Sequence, residues 1–239
     1  AVERISRRRF IGMGAGAAFS ALLLKDPFKL VAASREDDWE APREGRISYV
    51  SGRVTVNGGA VSSGEPVVSG DVISTGPGSE ADVEIRDVSI FHIKENTRVE
   101  LESLLTRPAL RVARGWFLTI VKRKTPFQVQ TPTVLAGVRG TVFFLRVYDE
   151  ERTYLCNCNG KIDLYDAASG RELRGVSSVY HTAFQLSRAN GGVQIERSRL
   201  LYHEDPDILR MSGRFSRETR IFRQKQEQRG DGGSGGGGY

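Results

Sequence analysis

Both cysteines of the chain lie in one short run, Tyr154-Leu155-Cys156-Asn157-Cys158-Asn159-Gly160. Residues i and i+2 of a strand point to the same face, so a strand here would set the two sulfurs side by side. Two of the three histidines follow downstream, His181 in a strand-like run and His203 just ahead of a helix signal. Two thiolates and two imidazoles form a tetrahedral donor set suited to zinc, or to another transition metal such as copper or iron. The same spacing suits a strained, reducible disulfide, or a bond to a partner's cysteine. It also suits plain packing, because an unpaired cysteine behaves as a small hydrophobe. Spacing alone does not choose among these three readings. The absence of a C-x-x-C-H run excludes c-type haem attachment. His92, between Phe91 and Ile93, reads as an ordinary half-buried histidine.

No second constellation points to catalysis. Nucleophile-elbow, phosphate-loop, zincin and dinucleotide-binding motifs are missing from any strand and helix context that would give them meaning. Glu100 and Glu102 alternate on a strand and read as a solvated face rather than a glycosidase pair. Trp39 and Trp116 are too far apart in sequence to suggest a stacking platform for a sugar. A non-catalytic binding protein is the expectation, with no small-molecule substrate.

The elements that must position these residues are short and β-rich. Runs such as Arg53–Val56, Val72–Ser74, Ala81–Ile85, Phe117–Val121, Val142–Tyr148 and Tyr154–Cys158 each end at Gly, Asn, Asp or Pro. Ala81-Asp82-Val83-Glu84-Ile85 alternates strictly, placing apolar side chains on one face and acids on the other, as a half-buried strand does. Turns recur about every ten residues with no helix between, which predicts an all-β fold, a short twisted β-solenoid-like or β-sandwich stack. A doubly wound α/β fold is excluded for want of crossover helices. Asp205-Pro206 looks like an N-cap followed by proline at the first helical position. Ile208, Met211, Phe215, Ile221 and Phe222 would line one side of the helical segment, broken at Gly213, which is expected to cap the open end of the β domain. Residues 230–239 are nearly all glycine, a disordered tail.

The formal charge of +6 suggests a polyanion partner until it is located. Residues 1–33 hold six basic and two acidic side chains, leaving a surplus of about two for everything after them. That is no footprint for nucleic acid. Ser6-Arg7-Arg8-Arg9-Phe10-Ile11 precedes the apolar run 11–24, and Val31-Ala32-Ala33 offers small residues for cleavage before Ser34. A basic head, a short apolar middle and small residues make a secretory signal, and the S-R-R-x-F-I order resembles the twin-arginine type. Export to the periplasm or beyond is therefore expected. Cleavage and retention as a membrane tether through residues 11–24 both stay open.

Four ordered blocks carry a family resemblance. Gly52-Arg53-Val54-Thr55-Val56-Asn57-Gly58 comes first, then Gly70-Asp71-Val72-Ile73-Ser74-Thr75-Gly76-Pro77-Gly78-Ser79. Asn96-Thr97-Arg98-Val99-Glu100-Leu101 follows, and then Phe127 to Thr133 with Gly137-Val138-Arg139-Gly140-Thr141. Together they resemble FecR-type domains over about residues 45–165. The resemblance implies a β-solenoid-like stack used in the periplasm, and, in signalling members, relay of a receptor's state to a sigma factor. Those members carry an anti-sigma segment before their membrane helix, whereas about ten residues precede the apolar run here. The stretch after residue 165 does not look like their secretin-type subdomain. A free-standing module binding a protein partner of the cell envelope, as scaffold or sensor, is what the resemblance leaves. Arg139 would be a buried guanidinium pairing with Asp71 or Asp87, or else a binding residue. The expected organisation is a signal or anchor over 1–33, a linker over 34–46 and the β domain over 47–165. A β extension over 166–204, a helical segment over 205–229 and the glycine tail then follow.

Overall fold

The structure is a computed structural model that describes residues 45–104 and 107–231. The stretches expected to form a twin-arginine signal and a tether over 11–24, Trp39, the linker as far as residue 44 and the tail from residue 232 lie outside the described residues.

Among the described residues, short amphipathic strands with glycine, asparagine and aspartate reversals build sixteen elements, and 56% of those residues are strand. In chain order they are β1 (Gly45–Ser51), β2 (Val54–Val56), β3 (Gly59–Ala60), β4 (Pro66–Val67), β5 (Val72–Thr75), β6 (Glu80–Ile85), β7 (Ser89–Ile93) and β8 (Arg98–Ser103). The series continues with β9 (Ala109–Val121), β10 (Pro126–Gln130), β11 (Val134–Arg139), β12 (Val142–Val147), β13 (Arg152–Asp166), β14 (Glu172–Ser178), β15 (Thr182–Ala189) and β16 (Gly192–Ser198). The all-β expectation holds, and its sandwich form is the one realised.

Two layers face each other. One runs β4-β1-β6-β7-β9-β12-β13-β15-β16, the other β3-β2-β5-β8-β9-β10-β11-β13-β14. All pairings are antiparallel except β9 with β10. The two long strands, β9 and β13, belong to both layers. β9 pairs β8 and β10 with its first half, then β7 and β12 with its second, and Gly115 stands at the changeover with φ of +101°. β13 pairs β12 and β15 first, then β11 and β14, changing layers at Gly160 with φ of +112°. An L side chain rarely adopts either conformation, so glycine is what allows one strand to turn the corner of the sandwich.

Between the layers lies one apolar core to which both contribute, Phe91, Phe117, Phe143 and Leu155 from the first layer and Leu110, Phe127 and Ile162 from the second. Period-two alternation then forces the intervening residues of the first layer to the opposite face. Trp116, Leu118, Phe144, Tyr154, Cys156 and Cys158 are all buried there too, because the C-terminal segment covers them. That segment comprises α1 (Asp205–Arg210), a 3-10 turn (Gly213–Phe215) and α2 (Arg220–Asp231). Ile208, Met211, Phe215 and Phe222 face the sheet as the periodicity predicts, and the helix breaks around Gly213. It lies across a sheet face instead of capping an open end, since the second, apolar face of β9, β12 and β13 needs a cover.

This cover also changes the environment of β6. Its acids do not face water: Asp82 and Glu84 are each 7% exposed, beneath the C-terminal segment. Asp82 receives both guanidinium nitrogens of Arg210 at 2.8 and 3.2 Å and the Nδ1 of His92 at 2.5 Å. Glu84 is paired with Arg46 at 2.6 Å and with Arg214. His92 is accordingly buried rather than half-buried, edge-on to Trp116. Burial alone would push the Asp82 carboxyl up, but hydrogen bonds from His92 and Arg210 and their charges more than offset it and hold it below the usual range. A carboxyl lowered by folding contributes stability above its unfolded pKa, and that contribution fades as pH falls through the folded value. Asp82→Asn should therefore cost about 2 kcal/mol at pH 6, with the gap to the parent narrowing near pH 3. Urea unfolding at the two pH values checks this.

Arg139 does not take the buried position expected of it. It ends β11 exposed, opposite Pro126, whereas Asp71 accepts hydrogen bonds from the Asn57 side chain and the Val68 backbone. A strand end at the sandwich rim leaves a guanidinium in water, where its solvation is cheapest to keep.

Candidate metal centre

β13 alternates Tyr154, Cys156 and Cys158 onto the covered face, and the two sulfurs stand 3.8 Å apart, both fully buried. Two further segments close on them. His181 sits in the turn between β14 and β15, with φ of +38°, and its backbone N–H donates to the Cys158 carbonyl at 3.0 Å. The sequence suggests a strand at His181; the left-handed backbone instead ends the β14 side of the turn and aims the ring inward. His203 comes from the stretch joining β16 to α1 and stacks on Phe144, with ring centroids 4.5 Å apart and planes 24° from parallel.

The four sequence-predicted residues therefore converge. Cys156 Sγ lies 3.5 Å from His181 Nδ1, and Cys158 Sγ lies 3.1 Å from His203 Nε2. One donor atom from each residue falls within 4.8 Å of all the others. Zinc with bonds of about 2.3 Å to sulfur and about 2.0–2.1 Å to nitrogen makes tetrahedral edges of about 3.8 Å (S···S) and about 3.5 Å (S···N). The sulfur–sulfur and Cys156–His181 separations match those edges, and the Cys158–His203 contact is a few tenths of an ångström shorter.

The outer nitrogens matter as much. His181 Nε2 meets the Asp205 carboxylate at 2.9 Å, and His203 Nδ1 meets the Leu201 carbonyl at 3.1 Å. Both partners are acceptors, so each ring's proton sits on its outer nitrogen. The inner nitrogens face the sulfurs and, in the neutral rings that bind a metal, would present their lone pairs to an ion between them. Ligating histidines are oriented in this way by carboxylates and carbonyls behind them. Asp205 is held in turn by the Tyr180 hydroxyl at 2.6 Å and lies 3.8 Å from Arg229 of α2. Burial, then the neighbouring Asp205, pushes the Tyr180 phenol up to about 12, so it stays a donor.

The sulfurs behave as one unit. The Cys158 S–H donates toward Cys156, which lowers the Cys156 thiol, with His181 and His203 adding to the effect against the opposing cost of burial. Burial, then the hydrogen bond to Cys156 and its charge, raises Cys158. Burial opposes charge on His181 as well, but Cys156 and Asp205 outweigh it and raise the ring.

Asp205 is the functional residue that the sequence pattern conceals. Aspartate before proline marks it as the helix N-cap, but Glu204 takes that position, bonding reciprocally with Asp207. The Asp205 carboxylate points at His181 instead. The available signal was local: Asp205 follows His203 by two positions, and Tyr180 directly precedes His181.

With this geometry in place, comparison with known proteins adds the following. The family described as FecR protein matches residues 71–162. That stretch, less than half of the chain, is similar to the FecR domain. The match takes in β5 to most of β13, and so includes both cysteines but neither His181 nor His203. Half of the four-residue cluster thus lies beyond the FecR match. Two crystal structures of a “putative anti-sigma factor” from Parabacteroides distasonis are similar, at 19% identity over 53% of this chain and 59% of that one. Their TM-scores are 0.44 and 0.42, and this chain spans 59% of their length. No curated protein matches. Among the described residues, no helix is long and apolar enough to cross a membrane.

Proposed function

We propose that this protein is a non-catalytic binding module of the cell envelope, built around a structural zinc centre formed by Cys156, Cys158, His181 and His203. The observation that carries the metal half is the set of four donor atoms within 4.8 Å, with each histidine oriented by an acceptor behind it. The sulfur–imidazole contacts could also be hydrogen bonds of a metal-free site, so it is the four-fold convergence, and not either contact alone, that supports a metal. Four protein ligands fill a tetrahedral shell and leave no position for substrate, and the buried setting of both cysteines and His203 keeps water out. A closed site of this kind holds structure; it does not turn over substrate.

The module half is supported by the FecR match over residues 71–162 and by the twin-arginine pattern Ser6 to Ile11. Export of a folded chain would allow the buried metal to be loaded beforehand. The partner is a protein of the periplasm or the membrane surface, and the role is scaffold or sensor. Purification from native membranes and periplasm tests this half, and a chain that runs alone as a monomer overturns it.

The metal half is tested by elemental analysis of the full chain with thiol titration, followed by cobalt substitution. One zinc per chain is expected, with both thiols masked until chelation. The cobalt form should show thiolate charge-transfer and tetrahedral d–d bands. Metal at trace levels, with the two sulfurs titrating as a reducible disulfide, would replace this reading with a redox one.

A further inference from the structure

The ligands are not distributed evenly between frame and cover. Cys156 and Cys158 belong to β13, and His181 to the β14–β15 turn, all within the sandwich. His203 alone precedes α1, in the segment that runs over the sheet face, and the orienting carboxylate Asp205 belongs to the same segment. We infer that the metal acts as a lock that fastens the C-terminal cover, from Leu201 to the end of α2, onto the outer face of the first layer. The inference rests on the zinc reading above and specifies what the ion controls.

Without the ion, the cover keeps its apolar contacts and a set of polar ties: Arg210 to Asp82, Arg214 to Glu84, Lys94 to Asp207 at 3.4 Å, the Arg123 N–H to Glu218 at 3.2 Å, and the Trp116 indole to the Tyr202 carbonyl at 3.0 Å. Around the cluster, Tyr180 and His181 hold Asp205, Tyr148 meets Tyr202 and the Leu201 N–H donates to Tyr154, so the ion adds a fastening at the His203 end to ties already in place. The helices themselves are marginal: α1 has six residues and α2 has twelve, lengths that do not persist without a surface to pack on. The frame needs no such help, since β9 and β13 are hydrogen-bonded on both sides along their length. Metal and cover support each other. The fourth ligand arrives only when the cover closes, so closure raises metal affinity and metal favours closure by the same factor. Opening would expose Trp116, Leu118, Phe144 and Tyr154 as one apolar surface.

Hydrogen exchange on the full chain reads the lock directly. If zinc binds only the closed form, opening is suppressed by a factor of one plus the ratio of free zinc to Kd, about 100-fold at a ratio of ~100. Stripping with EDTA should therefore speed exchange of the α1 and α2 amides about 100-fold while β9 and β13 amides keep their protection. His203→Ala in saturating zinc should reproduce the stripped pattern, because it cuts the tie from the cover's side. Unchanged exchange of α1 and α2 on stripping a protein shown to hold one zinc would overturn the lock and leave the metal reading standing. So would simultaneous loss of protection in frame and cover, since the ion would then support the whole fold. A chain that retains no zinc before stripping overturns the metal reading and the lock with it.

Discussion

Cys158→Ser is expected to abolish zinc retention and to lower the melting temperature of the metal-loaded protein, while leaving the metal-free protein almost unchanged. Serine keeps a hydrogen-bond donor beside His203 but replaces a soft thiolate with an alcohol that zinc does not hold in a closed site. A ligand that binds only the folded state stabilises it by about 4 kcal/mol when free zinc is ~1000 times Kd. For a domain of this size that corresponds to about 8–16 °C, all of which the variant should lose. The metal-free arm separates the explanations. If Cys158 mattered only as a buried hydrophobe, parent and variant would differ by the same amount with and without zinc. Asp205→Asn should fall between, weakening affinity about 10–100-fold, because His181 keeps its place but loses the charge behind it. Calorimetry of the three proteins in zinc and in EDTA supplies the comparison.

What is legible in the amino-acid sequence follows from how local each cause is. Strand alternation and the Cys156-x-Cys158 spacing act over a few residues, so they set both sulfurs on one face with no reference to the rest of the chain. The apolar stripe Ile208, Met211, Phe215 and Phe222 is equally plain, for the same reason. The surface it covers is not legible, because Trp116, Leu118 and Phe144 alternate with core residues just as apolar as themselves, Phe117 and Phe143. A strand apolar on both faces does not say which face meets the second sheet. The acids of β6 mislead in the complementary way: alternation puts Asp82 and Glu84 opposite the core, but only the path of the distant chain shows that Arg210 and Arg214 come to cover them. Asp205 misleads because a local rule, aspartate before proline, has a good explanation to offer. The four candidate ligands are recognisable by their chemistry; what orients His181 lies in a contact across 24 residues of sequence, to Asp205, that no period encodes.

Gly115→Ala should be the most damaging small substitution in the FecR-like domain, lowering stability by about 3–5 kcal/mol. The position has φ of +101°, where a β-carbon is strained by about 1–3 kcal/mol whatever surrounds it. Space is lacking as well: a β-carbon there would lie 2.2 Å from Thr97 Oγ1 and 2.5 Å from Thr97 Cα. Thr97 cannot step aside cheaply. Its hydroxyl accepts the Trp116 N–H at 2.9 Å, and its own N–H donates to Thr75 Oγ1 at 3.0 Å, tying two strands and the turn between them. Overpacking a fixed neighbour adds about 1–3 kcal/mol. Gly58→Ala is the control, since φ there is +84° but a β-carbon would meet nothing within 4 Å. Its cost should stay near 1 kcal/mol, that of the backbone conformation alone. Chemical unfolding of both variants distinguishes close approach from conformation: equal losses would show that the crowding at Thr97 relaxes and that β9 does not need glycine to pass from one layer to the other. A larger loss at Gly115 should extend to zinc affinity, because the residue that follows it, Trp116, packs on Phe144, and Phe144 carries the stacked ring of His203.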